Sequence, residues 1–293
     1  MKADWGGLIY LSLIFVGCTA IIFMPFLGPL GFVVSLPWLT LAGLALAAVS
    51  CFLISPIFVR GKEGEIPEEF IGALTEVSAR AGLRKRPKLL VVDVPEVNAM
   101  AYYSPFGSRI ALTAGLIQEY RFGRVRLDEV KAVLAHEASH LKSKHPLKNS
   151  LVMSIISLTD MFSSGLIVLS SVLSVLAVAQ RSLTTLAAAS GALLFGAILK
   201  VLSKVASIIA FHYMRGLEYE ADVKAARLVG REPTISMLKK VDELNSAVHS
   251  PRKLFMPERW TLPTTNRSWF EKLFDTHPPI EKRIEKLMRE VSS

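Results

Sequence analysis

Four long apolar runs dominate the pattern of hydrophobic and polar positions: Gly6 to about Leu27, Leu30 to about Val59, Leu151 to Ala179, and Leu183 to about Tyr213. A helix needs roughly 20 apolar residues to cross a bilayer core, and only Gly28 and Pro29 divide the first pair. The pattern therefore predicts two transmembrane hairpins, about four membrane helices in all. Asp160 interrupts the third run, and the fourth carries Lys200 and Lys204, spaced for one helix face. Charge at that depth is costly and usually faces protein or a cavity.

Between and after the hairpins the periodicity changes. Pro67 opens a helix with Phe70, Leu74 and Val77 on its apolar side, and Gly82 closes it. Lys88 to Val94, Ala99 to Tyr103 and Arg109 to Thr113 read as three short strands, broken at Pro95 and at Pro105 with Gly107. Leu127 to Lys144 is predicted as a helix: Val130, Val133, Leu134, Glu137 and Leu141 recur at three- and four-residue spacing. Asp128 and Glu129 suit its start, and Lys142 and Lys144 its end. Pro278-Pro279 begins a last helix with the stripe Ile280, Ile284, Leu287 and Val291, after a proline-containing stretch from Ser246 to Phe270 of the length that usually serves function. The expected organisation is a first hairpin at 1–60, a polar part at 61–150, a second hairpin at 151–213 and a second polar part at 214–293. In class the chain reads as mainly α and multi-pass, with an α+β domain carrying a small sheet.

Charge sharpens this picture. The net charge of +9 would suggest nucleic acid as the partner of a soluble protein, but its distribution indicates otherwise. Almost no Lys or Arg lies between the spans of either hairpin, Arg181 excepted, whereas 60–148 and 215–289 hold nearly all the rest. The positive-inside rule then places both polar parts in the cytoplasm, next to anionic headgroups, with no nucleic-acid partner. Cys18 and Cys51 fall inside apolar runs, which argues against a disulfide framework or a cysteine metal site. Phe15-Val16-Gly17-Cys18 loosely resembles a lipoprotein cleavage site, but a second span follows at once and Lys2 is the only basic residue ahead, so an uncleaved anchor is expected.

The chemistry begins at Ala135-His136-Glu137-Ala138-Ser139-His140. At 3.6 residues per turn, His136 and His140 stack on one helix face, where two imidazoles bind one zinc ion and Glu137 reaches its water. A catalytic zinc takes three protein ligands and keeps the fourth position open. Pro146 stands where a metzincin would have its third histidine, and His145 is read as a surface residue in the turn before it. In Arg215-Gly216-Leu217-Glu218-Tyr219-Glu220-Ala221-Asp222, Glu218 and Asp222 share a helix face. Glu218 is read as the third ligand, Asp222 as the acceptor for the outer N–H of a liganding imidazole, and Glu220 as solvated. The competing account is an acidic cluster on an exposed helix. His212 and His249 have no motif around them.

On these residues the chain resembles the HtpX membrane metalloproteases, relatives of the Ste24 prenyl-protein endopeptidases within the gluzincins. The resemblance rests on His136-Glu137-x-x-His140, Arg215-x-x-Glu218-Tyr219-x-Ala221-Asp222, Asn98-Ala99-Met100-Ala101 and Thr276-His277-Pro278-Pro279, and covers almost the whole chain. Ala138 departs from it, since the family more often has leucine there. The resemblance implies one catalytic Zn2+, endopeptidase activity at the inner face of the cell membrane, and polypeptide substrates that are damaged membrane proteins; it assigns no oligomeric state. Under it, His277 supports a tetrahedral oxyanion and Asn98 holds substrate backbone; a helix cap and a turn residue are the alternatives. Two other readings stand beside it: a zinc-binding membrane adaptor or holdase with a closed structural site, and a prenyl-protein endopeptidase.

Overall fold

A computed structural model describes residues 66–104, 107–247 and 278–291. The first predicted hairpin, both cysteines, His249, His277 and most of the proline-containing stretch lie outside the described residues. Helix α1 spans Glu68–Arg80, with Pro67 ahead of it and Gly82 behind it at φ 63°, as the punctuation predicted. Strands β1 (Lys88–Val92), β2 (Ala99–Ser104) and β3 (Gly107–Thr113) follow, β1 ending two residues before the expected Val94. Then come α2 (Ala114–Arg121) and α3 (Leu127–Lys142).

The three strands form a sheet in the order β1-β3-β2, with β1 parallel and β2 antiparallel to β3. The strand last in sequence is thus central, and β2 is an edge among the described strands. Phe70 and Leu74 of α1, Ile110 and Leu112 of β3, Leu116 of α2, and Val130 and Leu134 of α3 make one buried core between the sheet and the helices. A Cβ at Gly115 would stand 2.1 Å from the carbonyl oxygen of Pro95. Only glycine lets α2 press against the loop that feeds β2.

Helices α4 (His145–Gln180) and α5 (Leu183–Val229) are joined by two residues, with Arg181 in the left-handed region at φ 50°. Both are long and apolar enough to cross a membrane. Val168, Val175, Val178, Leu183, Leu194 and Val201 are each more than 60% exposed, a surface suited to lipid rather than water. Lys200 ion-pairs with Asp160 at 2.9 Å and donates to Ser164 Oγ at 3.0 Å. One of the two lysines that strained the membrane reading is therefore neutralised by a carboxylate of the neighbouring helix, whereas the other, Lys204, is exposed. Helix α5 does not stop where its apolar run ends near Tyr213. At 47 residues it is about 70 Å long, and its C-terminal turns carry Glu218 and Asp222. Helices α6 (Arg231–Ala247) and α7 (Ile280–Glu290) complete the described chain. Of the described residues, 150–210 form one compact unit, and 66–149 with 211–291 form another.

In the second unit, α3 and α6 are tied through a buried carboxylate. Glu129 is fully buried and accepts from the Arg126 N–H at 2.7 Å, Ser236 Oγ at 2.6 Å and Lys240 Nζ at 2.7 Å. Burial alone would raise its pKa, but these donors outweigh burial and hold it below the usual 4.5. The carboxylate therefore adds stability that is present above the unfolded pKa and is lost as pH falls through the lower folded value. Glu129→Gln is expected to cost about 2 kcal/mol near pH 7. Denaturant unfolding of the two proteins should show that difference shrinking below about pH 4; a gap unchanged at pH 3 would rule the carboxylate out as its source.

Candidate metal centre

Helix α3 starts well ordered because Glu129 returns a carboxylate to the N–H of Arg126 and Asp128 Oδ1 accepts from the Glu129 N–H at 3.0 Å. This caps two free donors of the first turn. Ala135 and Ala138 are fully buried against Val77 of α1 and Ala225 of α5. Small side chains let these helices approach closely, which accounts for alanine at 138.

That packing places one face of α3 against the C-terminal turns of α5. Nε2 of His136 lies 2.9 Å from Nε2 of His140 and 3.6 Å from Glu218, and Nε2 of His140 lies 3.3 Å from Glu218. Ligands about 2.0–2.2 Å from a tetrahedral ion stand roughly 3.3–3.6 Å apart. The two distances to Glu218, one to each carboxylate oxygen, fall at this spacing and the imidazole nitrogens stand somewhat closer, so that two nitrogens and a carboxylate converge as a donor set that could hold one divalent cation.

The surroundings point the same way. Nδ1 of His136 meets Asp222 Oδ1 at 2.9 Å, so the outer nitrogen has an acceptor and Nε2 is left for the centre. Asp222 is 1% exposed. Burial opposes a charge on His136, yet the hydrogen bonds to Asp222 and Glu218 overcome it and push the imidazole up to about 10. A cation bound at Nε2 takes the place of any proton on that nitrogen. Glu137, also buried, accepts the Ala101 N–H at 2.6 Å. Its burial raises the carboxyl pKa, against the pull of His136 and His140. Ala101 is on β2, so this N–H points away from β3, on the side of β2 that no described strand pairs.

Three neighbours escaped the sequence reading. His145 is not in a surface turn; it is fully buried as the first residue of α4, with its ring against His140. Glu220, read as solvated, is 33% exposed but is also paired with Lys224 and 3.7 Å from His145. Arg283 of α7 grips Asp222 with two hydrogen bonds, 2.7 and 2.6 Å, and passes 3.8 Å from Glu218. Only its place within one turn of Ile280 and Ile284 marked it as inward-facing. Asn98 heads β2 with local partners: Oδ1 accepts the Ala99 N–H at 2.8 Å, and its own N–H donates to Thr113 Oγ1 at 2.9 Å.

Comparison with known proteins adds the following. A model of Peptidase family M48 matches residues 68–291. Protease HtpX of Haemophilus influenzae is 29% identical over 259 residues, covering 84% of this chain and 85% of that protein. Protease HtpX of Sodalis glossinidius is 28% identical over 263 residues, covering 84% of each. The crystal structure of S. mikatae Ste24p aligns with a TM-score of 0.51 at 18% identity, covering 94% of this chain. The chain spans 62% of the length of that Ste24p, and the likeness is one of fold.

Arg283→Met strands a buried Asp222 carboxylate. It is expected to cost about 3–5 kcal/mol of stability and to weaken metal binding about 10- to 100-fold. Arg283→Lys should recover only part, since an ammonium cannot make the two-pronged contact. Thermal melting and competition titration with Zn2+ or Co2+ read both effects; parent-like values for Arg283→Met would show that the guanidinium is dispensable.

Proposed function

The chain belongs to peptidase family M48 and is a metalloendopeptidase, and from that premise we propose that one Zn2+ is held by His136, His140 and Glu218 and that Glu137 is its general base. The observation that carries this reading is the convergence of those three donors from α3 and α5. Zinc bound there supplies a Lewis acid for the scissile carbonyl and an acidified water.

The chain's own residues do the rest. Glu137 takes a proton from the attacking water and passes it to the leaving amine; a pKa raised by burial brings it towards the range where a base works at neutral pH. Asp222, backed by Arg283, keeps the proton of His136 on Nδ1 and so keeps Nε2 available. The open edge of β2 takes substrate as an added strand, which lays an extended backbone beside Ala101 and Glu137. Asn98 stands at the head of that edge and contributes its amide to the same backbone. His277 is assigned to the oxyanion under this reading; its position is outside the described residues.

Asp222 meets an imidazole at its outer nitrogen and does not join the three converging donors. That arrangement favours a catalytic site over the closed four-ligand site of an adaptor. In the same reading the chain is a four-span protein of the cell membrane, its protease part faces the cytoplasm, and its substrates are misfolded or damaged membrane proteins. The outward apolar surface of α4 and α5 supports the membrane part.

Glu137→Gln should keep stoichiometric zinc and lose peptide cleavage by at least about 100-fold, whereas Glu218→Ala should lose both. Metal analysis and digestion of casein or a membrane protein by the detergent-purified variants read the two properties separately. A fully active Glu137→Gln protein would sink the mechanism. For topology, Ser182→Cys in a chain lacking Cys18 and Cys51 should be labelled by an impermeant thiol reagent from outside the cell; labelling only after lysis would place the Arg181 turn on the wrong side.

A further inference from the structure

His145 Nδ1 lies 2.8 Å from Nδ1 of His140, the rings meeting edge to face at 72° with centroids 4.9 Å apart. Two imidazole nitrogens at that distance share one proton: one donates and the other accepts. Nε2 of His140 faces His136 and Glu218. A neutral ring that offers Nε2 to a cation carries its proton on Nδ1. His140 is then the donor and His145 the acceptor. The proton of His145 falls on Nε2, a buried nitrogen with no hydrogen-bond partner among the described residues; Glu220 Oε2, at 3.7 Å, is a nearby charge rather than an acceptor. Glu220 is itself held by Lys224, whose ammonium also donates to Ser143 Oγ at 2.6 Å, just past the end of α3.

The backbone is shaped for this contact. In an unbroken helix a residue five places after His140 would lie about 140° around the barrel. Instead Lys144 takes φ 57°, in the left-handed region that non-glycine residues seldom occupy. The reversal there sets His145, the first residue of α4, back over the His140 ring.

We propose that His145 is a positioning residue for the metal centre: it accepts the Nδ1–H of His140 and so fixes the tautomer and rotation that leave Nε2 for the metal. The proposal rests on the reading of His136, His140 and Glu218 as the donors. Each imidazole of the pair then has its own outer acceptor, Asp222 for His136 and His145 for His140. A neutral ring in the second place has a physical reason. Glu137, Glu218 and Asp222 already crowd three buried carboxylates around Arg283. The neutral ring of His145 orders His140 without adding a fourth charge beside it, and the anionic Glu220 stands one ring further out, against Lys224.

The test uses the full chain in detergent. Zn2+ dissociation constants are measured by competition with a chromophoric chelator, and the visible spectrum of the Co2+-loaded protein is recorded. The key pair is His145→Asn and His145→Gln, because the Asn side-chain amide can place its oxygen near the position of Nδ1, whereas that of Gln reaches only the position of Nε2. Asn should bind Zn2+ within about threefold of the parent and keep its Co2+ bands. Gln and His145→Leu should bind about 10- to 100-fold more weakly with shifted bands, and Glu220→Gln should show a smaller loss. Parent-like affinity in Gln, or Asn as weak as Gln, overturns the proposal; this comparison stands even if the Leu protein does not fold. His140→Ala is the control for the underlying reading: if it retains parent affinity, the donor assignment has failed, not the role of His145.

Discussion

Two carboxylates on one turn of α5, Glu218 and Asp222, are buried against two imidazoles of α3, and the architecture of the second unit answers to that juxtaposition. Burying a carboxylate without compensation costs several kcal/mol, so the arrangement persists only where positive charge is supplied on every side. Arg283 supplies it from α7, and the hydrogen bond between His136 and Asp222 favours a charged imidazole against the pull of burial. A divalent ion meets the same demand more fully than a proton does. Metal affinity and fold stability are therefore two readings of one electrostatic balance, and the helices α3, α5 and α7 serve as the rigid frame that keeps it from relaxing.

Much of this frame was legible in the sequence because its signals are periodic or local. Proline and glycine punctuation marked α1 and the breaks between the three short strands, and the spacing of His136, His140, Glu218 and Asp222 marked which side chains share a face. What escaped is long-range or depends on backbone reversal. His145 was read as surface because helical spacing ends at Lys144, and nothing in a single sequence says that this lysine adopts a left-handed conformation. Lys200 looked like an objection to a membrane helix; its partner Asp160 sits on the preceding helix, and periodicity within one run cannot pair residues of two. The end of the apolar run near Tyr213 looked like a domain edge, yet the hydrogen-bonded helix continues through it, because backbone helicity does not depend on whether lipid or protein surrounds the side chains.

The strand order has a consequence for what such a protease can cut. Because β3 inserts between β1 and β2, the strand bearing Ala101 is an edge among the described strands, and its outward N–H is donated to Glu137. A chain that pairs with this edge must offer its own backbone N–H and C=O groups, and in a folded protein nearly all of those are engaged. Recognition through backbone pairing is thus selective for conformation before it is selective for sequence. On the proposed reading, this filter spares folded neighbours and admits segments that have lost their native hydrogen bonds, without requiring a side-chain motif in the substrate. It also puts the discriminating step at strand pairing, ahead of the chemistry at Glu137.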